Sequence, residues 1–272
     1  MKILILVVHG PYEPWLEIMR EGQLRTWAID TNKTKVVHVS GKPVGTTTHK
    51  LGEYLYSLKW SENKYLGKSA LLADFAMKKL IKNWLPKVKE DNPSLSPAEH
   101  TWLVEMPDLA LLMGTKMLAS LSHSLNYDYD YLVTTITSAY INIPRLEKAL
   151  DAKPRELFTG GRITEVSGNK FQQGSFRVYS KDVIRWVISN RKNYPHWLPE
   201  DVAMGKLISS GGFSLIKIPD STAYSIEELE SLSKSELETS VHFRCKGSRV
   251  ENQESRNDVA IQKQLHEMML KT

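Results

Sequence analysis

The chain has 272 residues, 41% of them apolar and 25% charged, enough to bury a sizeable core and unlike a disordered or fibrous polypeptide. Its formal charge of +5 favours anionic partners such as nucleotides or phosphosugars, or an anionic membrane face. A lone cysteine, Cys245, excludes both an internal disulfide framework and a cysteine-built metal site.

The first apolar run, "ILILVV" at 3–8, is too short for a secretion signal or a membrane span. It reads as the buried first strand of a parallel sheet, followed by the turn His9-Gly10-Pro11. Residues 13–28 predict a helix, with Leu16, Met19, Leu24 and Trp27 near one face. "TKVVHVS" (34–40) is a second strand, stopped by Gly41 and Pro43. Strand, helix and strand in this order predict a right-handed crossover and an α/β fold with a mainly parallel sheet.

Further along, 66–85 predicts an amphipathic helix and the proline-bearing 89–100 a loop. "TWLVEMP" (101–107) is a third strand, 108–125 a helix, and "YLVTTI" (131–136) a fourth strand. A helix then begins at Pro144, which suits a first helical turn. The pattern next becomes shorter and more polar: a strand at 176–180, a helix at 181–190, a helix at 199–212 with a glycine stop, and a strand at 213–219. The tail, 255–272, predicts a final helix.

Several familiar sites are missing. There is no P-loop, no G-x-G-x-x-G after the first strand, no H-x-x-x-H and no G-x-S-x-G. No basic-aromatic ladder marks a nucleic-acid surface, so nucleic acid is not an expected partner.

Four stretches in order carry a resemblance: "QLRTW" (23–27), "GTKMLASLSHSLNYDYDYLVTTITSAYINIPRL" (114–146), "FQQGSFRVYSKDVIRWV" (171–187) and "PEDVAMGKLI" (199–208). Together the chain resembles the Fringe and beta-1,3-galactosyltransferase/N-acetylglucosaminyltransferase family of inverting glycosyltransferases. The resemblance implies a GT-A fold, an α/β/α sandwich in one domain. Residues 1–145 would form the nucleotide-sugar half, 146–250 the acceptor half and 251–272 a C-terminal helix. The donor would be a nucleotide-diphosphate sugar, with a UDP-sugar the leading expectation, and the acceptor a glycan or glycoprotein hydroxyl.

The family's "EDV" falls on Glu200-Asp201-Val202 and implies Asp201 as the general base, with Glu200 beside the substrate. Its "GGGY" falls on Gly174, Ser175 and Phe176; only Gly174 survives from the glycine triplet, and Arg177 replaces an aromatic or aliphatic residue. Arg25 and Lys116 match basic positions, and each is expected to contact substrate; Lys116 reads equally as a buried anchor for an acid. In "VHFRCKG" (241–247), strand alternation sets His242, Arg244 and Lys246 on one face, a cradle for a diphosphate or else a solvated basic edge.

The family's three metal-binding aspartates line up without a gap on Ile136, Thr137 and Ser138. Hydroxyls alone are poor ligands for Mg or Mn, which take carboxylate oxygens. Asp128 and Asp130 precede the strand and belong at its opposite end. The expectation is therefore no cofactor, with Mn or Mg as the disfavoured alternative. Thr137 and Ser138 would line the sugar.

The leading expectation is a metal-independent, inverting hexosyltransferase that builds a bacterial or viral glycan. It would be cytoplasmic, without a transmembrane segment, and able to touch a membrane at its surface. The rival is a catalytically impaired GT-A-like protein that only binds nucleotide or glycan.

Overall fold

The computed structural model describes residues 1–58, 84–90, 100–166, 169–196, 198–247 and 256–271. The helix predicted over 66–85 and most of the 89–100 loop lie outside these residues. Among the described residues no helix is long and apolar enough to cross a membrane.

Eight strands form the central sheet: β1 (Ile3–Val8), β2 (Thr34–Lys42), β3 (Val88–Glu90), β4 (Thr101–Pro107), β5 (Tyr131–Ile136), β7 (Thr159–Val166), β8 (Asn169–Ser180) and β9 (Leu215–Lys217). Their order is β3-β4-β2-β1-β5-β8-β7-β9. The centre, β4-β2-β1-β5, is parallel, while β3 and β8 join antiparallel. A small second sheet runs β10 (Asp220–Thr222), β11 (His242–Arg244), β6 (Ala139–Ile141).

Alternation along β1 explains its uninterrupted apolar run. Ile3, Ile5 and Val7 enter one core with Tyr140, Leu146 and Leu265, while Leu4, Leu6 and Val8 enter the other with Leu118, Val183 and Leu207. A strand buried on both faces has no polar side to show. The α-helices described beyond residue 25 are α1 (Thr46–Leu58), α2 (Met113–Ser124), α3 (Ile143–Asp151), α4 (Lys181–Ser189), α5 (Glu200–Ser210), α6 (Ile226–Glu230), α7 (Lys234–Thr239) and α8 (Asp258–Lys271). Residues of α3, α6 and α8 pack in the first core and those of α2, α4 and α5 in the second, giving an α/β/α sandwich.

The helix predicted over 13–28 is corrected. Residues 15–25 form three short pieces of α, π and 3-10 turn. Its inner residue Gln23 is fully buried, and its amide bonds the carbonyls of Ile136 (3.2 Å) and Ala139 (3.3 Å). That tertiary bond fixes the segment more firmly than its periodicity does.

The turn between β5 and β6 is held from several sides. Gln262 of α8 donates to the Thr137 carbonyl (2.8 Å), the Cys245 amide to the Ser138 carbonyl (2.8 Å), and Trp27 Nε1 to the Ala139 carbonyl (3.0 Å). Buried carbonyls need partners, and these supply them.

Candidate functional site

Ligands of open α/β sheets sit beyond the carboxyl ends of the parallel strands. Two adjoining cavities lie there. The first, of about 260 Å³, is reached by His9 and Gly10 after β1, by Ile136, Thr137 and Ser138 after β5, and by Tyr12, Trp15, His49 and Glu53. The second, of about 530 Å³, is lined by Gln173, Gly174, Ser175, Asp201, Arg162 and Tyr224. Ile136, Arg244 and Lys246 line both and form the shared wall.

That shared wall carries positive charge, with Asp258 the one nearby carboxylate acting on both cations among the described residues. Neither Arg244 nor Lys246 forms a salt bridge among the described residues, whereas the neighbouring Arg256 pairs with Asp258 and stacks on Trp15 at 4.3 Å. Burial, then the proximity of Arg162 and Arg256, pulls the Arg244 guanidinium down to about 10. Burial, then Arg244 and Arg256, lowers the Lys246 ammonium as well. Crowded cations of this kind are relieved by a bound anion.

His242 departs from the expected diphosphate cradle. It is fully buried and stacks flat on Phe176, with ring centroids 4.8 Å apart. Burial, then the nearby Arg162 and Arg244, holds it well below its usual range, so it is neutral. It shares the strand alternation of Arg244 and Lys246 but lies under β8, where no ligand reaches it.

Lys116 is a strut and not a substrate contact. Only 2% exposed, it donates to Asp108 Oδ2 (2.8 Å) and to the His9 carbonyl (2.9 Å). Asp108 Oδ2 also accepts the Gly41 amide at 2.6 Å. The pair thus ties the end of β1 to the end of β2, and of the two roles read from the sequence the buried anchor is the one the geometry fits. Arg25 is exposed and lines neither cavity, so it is not brought to the cleft.

Thr137 and Ser138 face the first cavity, and Gly174 and Ser175 the second. Ser175 Oγ is buried without a partner among the described residues. Its carbonyl accepts from Thr135 Oγ1 at 2.7 Å, which fastens β8 to β5 at the cleft floor.

Glu200 and Asp201 open α5 but point to different tasks. Glu200 is engaged by Arg177, whose Nη1 reaches Oε1 at 2.8 Å and whose Nη2 reaches Oε2. Burial works against the charge of Arg177, but Glu200 and then Tyr179 outweigh it and hold the guanidinium above its usual range. A Cβ on Gly174 would stand 3.3 Å from Arg177 Nη2, so glycine lets β8 cross this pair closely. Glu200 is therefore not available to a substrate. Asp201 accepts one bond, from the Val202 amide at 2.9 Å through Oδ1. Its Oδ2 has no hydrogen-bond partner among the described residues, and Asp201 lines the second cavity.

At the turn after β5, Thr137 and Ser138 offer hydroxyls and no carboxylate, and no group of three or more His, Cys, Asp or Glu is gathered among the described residues. Asp128 pairs with Lys2 Nζ at 2.5 Å and Asp130 accepts the Lys2 amide at 2.7 Å. Both stand before β5, at the end away from the cleft.

No family model matches the chain, and no curated protein matches it. Among solved structures it is similar to the mannosyltransferase PcManGT from Pyrobaculum calidifontis in complex with GDP-Man and Mn2+, at 12% identity over 80% of this chain and 55% of that one, with a TM-score of 0.39. It is also similar to the bifunctional glycosyltransferase WbbM, at 9% identity over 97% of this chain and 49% of that one, with a TM-score of 0.44. The chain spans about half the length of these two structures.

Sequence reasoning missed Arg162, Arg256, His9 and Trp15. His9 had a signal, since it directly follows the first parallel strand. Arg162 had one too: Gly160-Gly161 before it marks an irregular strand. Arg256 becomes visible only once α8 is folded back on the cleft.

Proposed function

We propose that the protein is an inverting glycosyltransferase that moves a sugar from a nucleotide-diphosphate donor to a hydroxyl. The observation that carries this reading is the placement of Arg244 and Lys246, without a salt bridge among the described residues, on the wall between two cavities, one of which is lined by Asp201. The first cavity would take the nucleoside among Tyr12, Trp15 and His9. Burial, foremost, pulls His9 down to about 4, so its ring is neutral there. The second cavity would take the sugar and the acceptor.

In this scheme Asp201 removes the proton from the acceptor hydroxyl. The oxygen attacks the anomeric carbon as the bond to the diphosphate breaks. Negative charge grows on the departing phosphate, and Arg244 and Lys246 stand where it can be matched. The sugar itself passes through an oxocarbenium-like state. A general base positioned in this way contributes roughly 10²–10⁴-fold. The GT-A arrangement, the hydroxyl-rich turn and the Arg244–Lys246 wall all support a reaction in which side chains carry the leaving-group charge.

The rival, a protein that binds nucleotide or glycan without transfer, is favoured by the same hydroxyl-rich turn. The open Asp201 speaks against it, because binding alone gives no role to an unpaired carboxylate facing a sugar-sized cavity. Incubation with UDP-, GDP- and CDP-sugar panels, followed by nucleotide release with and without a glycan acceptor, tests the two. Binding with no release under any condition would establish the rival.

A further inference from the structure

We infer that the second cavity takes a sugar unit bearing a carboxylate, read by Arg162, an assignment that rests on the transferase reading above. Three cations line this cavity, Arg162, Arg244 and Lys246, against a single carboxylate, Asp201. Arg244 and Lys246 belong equally to the first cavity and suffice for a diphosphate. Arg162 does not line the first cavity. It faces the second alone, with Asp220 as its ion-pair partner behind it.

The placement of Arg162 is built into the strand. Pairing of β7 with β8 shifts register between Gly161 and Ile163, so Arg162 sits in a bulge, a device that re-aims a side chain. Gly161 has a φ of +142°, and a Cβ there would come 2.3 Å from the Phe176 carbonyl oxygen. Only glycine permits this backbone, and its result is an arginine turned into the cleft. The guanidinium is then steadied through one nitrogen: Nη1 donates to Thr222 Oγ1 at 2.6 Å and lies 3.4 Å from Asp220 Oδ1. Its other N–H groups have no partner among the described residues and can form the paired bonds that a planar carboxylate accepts. Burial, ahead of the opposing pull of Arg162, raises the Asp220 carboxyl above the usual range.

The carboxylate could sit on the transferred sugar or on the acceptor's terminal sugar, and the experiment separates the two. In one arm UDP-glucuronate and UDP-glucose compete as donors to a neutral disaccharide. In the other a uronate-ended and a neutral disaccharide compete for one neutral donor. UDP binding by the wild-type chain is measured alongside. In one arm we expect the acidic member to be favoured about tenfold, and that preference to collapse in Arg162→Gln and to persist in part in Arg162→Lys. Because the readout is a ratio within one sample, loss of folded protein does not imitate the result. Equal use of acidic and neutral sugars in both arms, or an unchanged ratio in Arg162→Gln, with UDP still bound, would overturn this inference alone. Failure of the wild-type chain to bind any nucleoside diphosphate would overturn it together with the transferase reading.

Discussion

Arg177 and Glu200 meet in a two-pronged ion pair beneath Gly174, with the Arg177 side chain 2% exposed and that of Glu200 11%. The pair joins β8 to the first residue of α5, and the next residue of that helix is Asp201. Two adjacent carboxylates are thereby separated in role: one is locked inward and the other faces the cleft.

Breaking the pair is therefore expected to cost stability first. Removal of one partner from a buried pair leaves an uncompensated charge and costs about 3 kcal/mol or more. Glu200→Gln and Arg177→Met should each lower the urea midpoint clearly. The double variant should recover part of the loss, since no charge is then stranded. Chemical denaturation of the three variants checks this, and additive losses would contradict it.

Asp201→Asn should do the reverse. It removes no buried partner, so the unfolding midpoint should stay close to that of the parent chain. Sugar transfer should fall roughly 10²–10⁴-fold while UDP affinity holds. Paired turnover and titration calorimetry measure both. Retained turnover would remove Asp201 from the role of base.

Arg244→Gln and Lys246→Gln should each weaken UDP binding about tenfold, the worth of a charge-assisted hydrogen bond. The pH dependence has a definite sign. A bound diphosphate requires the protonated cations, and burial with like-charge crowding makes Lys246 lose its proton at a lower pH than the ordinary 10.5. Affinity should therefore fall on the alkaline side, beginning below the pH at which a free lysine titrates. Calorimetry from pH 7 upward reads it. A flat profile would mean that Lys246 does not meet the phosphates.

Much of this was legible in the sequence, and the reason is physical. Strands β1, β4 and β5 are buried on both faces or bounded by sharp turn residues, so their apolar runs mark them within a residue or two. α5 and its Asp201 follow from a short local pattern. Arg177, by contrast, resembles an exposed strand residue until α5 is packed above it. His242, Arg244 and Lys246 have the same alternation, and only the sheet overhead decides that the first is covered and the other two are not. Lys116 was ambiguous because a lysine among apolar neighbours can extend outward or find a carboxylate, and Asp108 lies in a separate turn. Strands β6 and β10 were missed because three residues show no periodicity of their own, and β7 because Gly160-Gly161 interrupts it.

Three buried histidines should make the fold sensitive to acid. Burial, foremost, pulls His9 down to about 4 and His38 down to about 3, and it holds His242 well below its usual range, so all three are neutral. Between pH 6.5 and 5 the unfolded chain takes up protons that the folded chain refuses. Stability is thus full above about 6.5 and is lost as pH falls, with a slope of roughly 4 kcal/mol per pH unit for the three. Urea unfolding at pH 7, 6 and 5 measures the slope. His38→Gln should reduce it by about a third, and an unchanged slope would show that the site is not dry.

Chelation should leave transfer intact. With only hydroxyls at the turn after β5, EDTA is expected not to change turnover, and Asp128→Asn should be silent because its partner Lys2 lies on the surface away from the cleft. Turnover abolished by EDTA and restored by Mn would refute the scheme in which side chains alone match the leaving charge.

The turn at Ile136–Ala139 has a consequence for assembly. Its carbonyls are clasped by Gln23, from early in the chain, and by Gln262, from the last described helix. The cleft floor is thus a knot between distant parts of the polypeptide, and it cannot be tied in the order of synthesis. The same helix also closes the first core, through Ile261 and Leu265. The hydrophobic core and the cleft floor beside it are therefore completed together, when α8 docks.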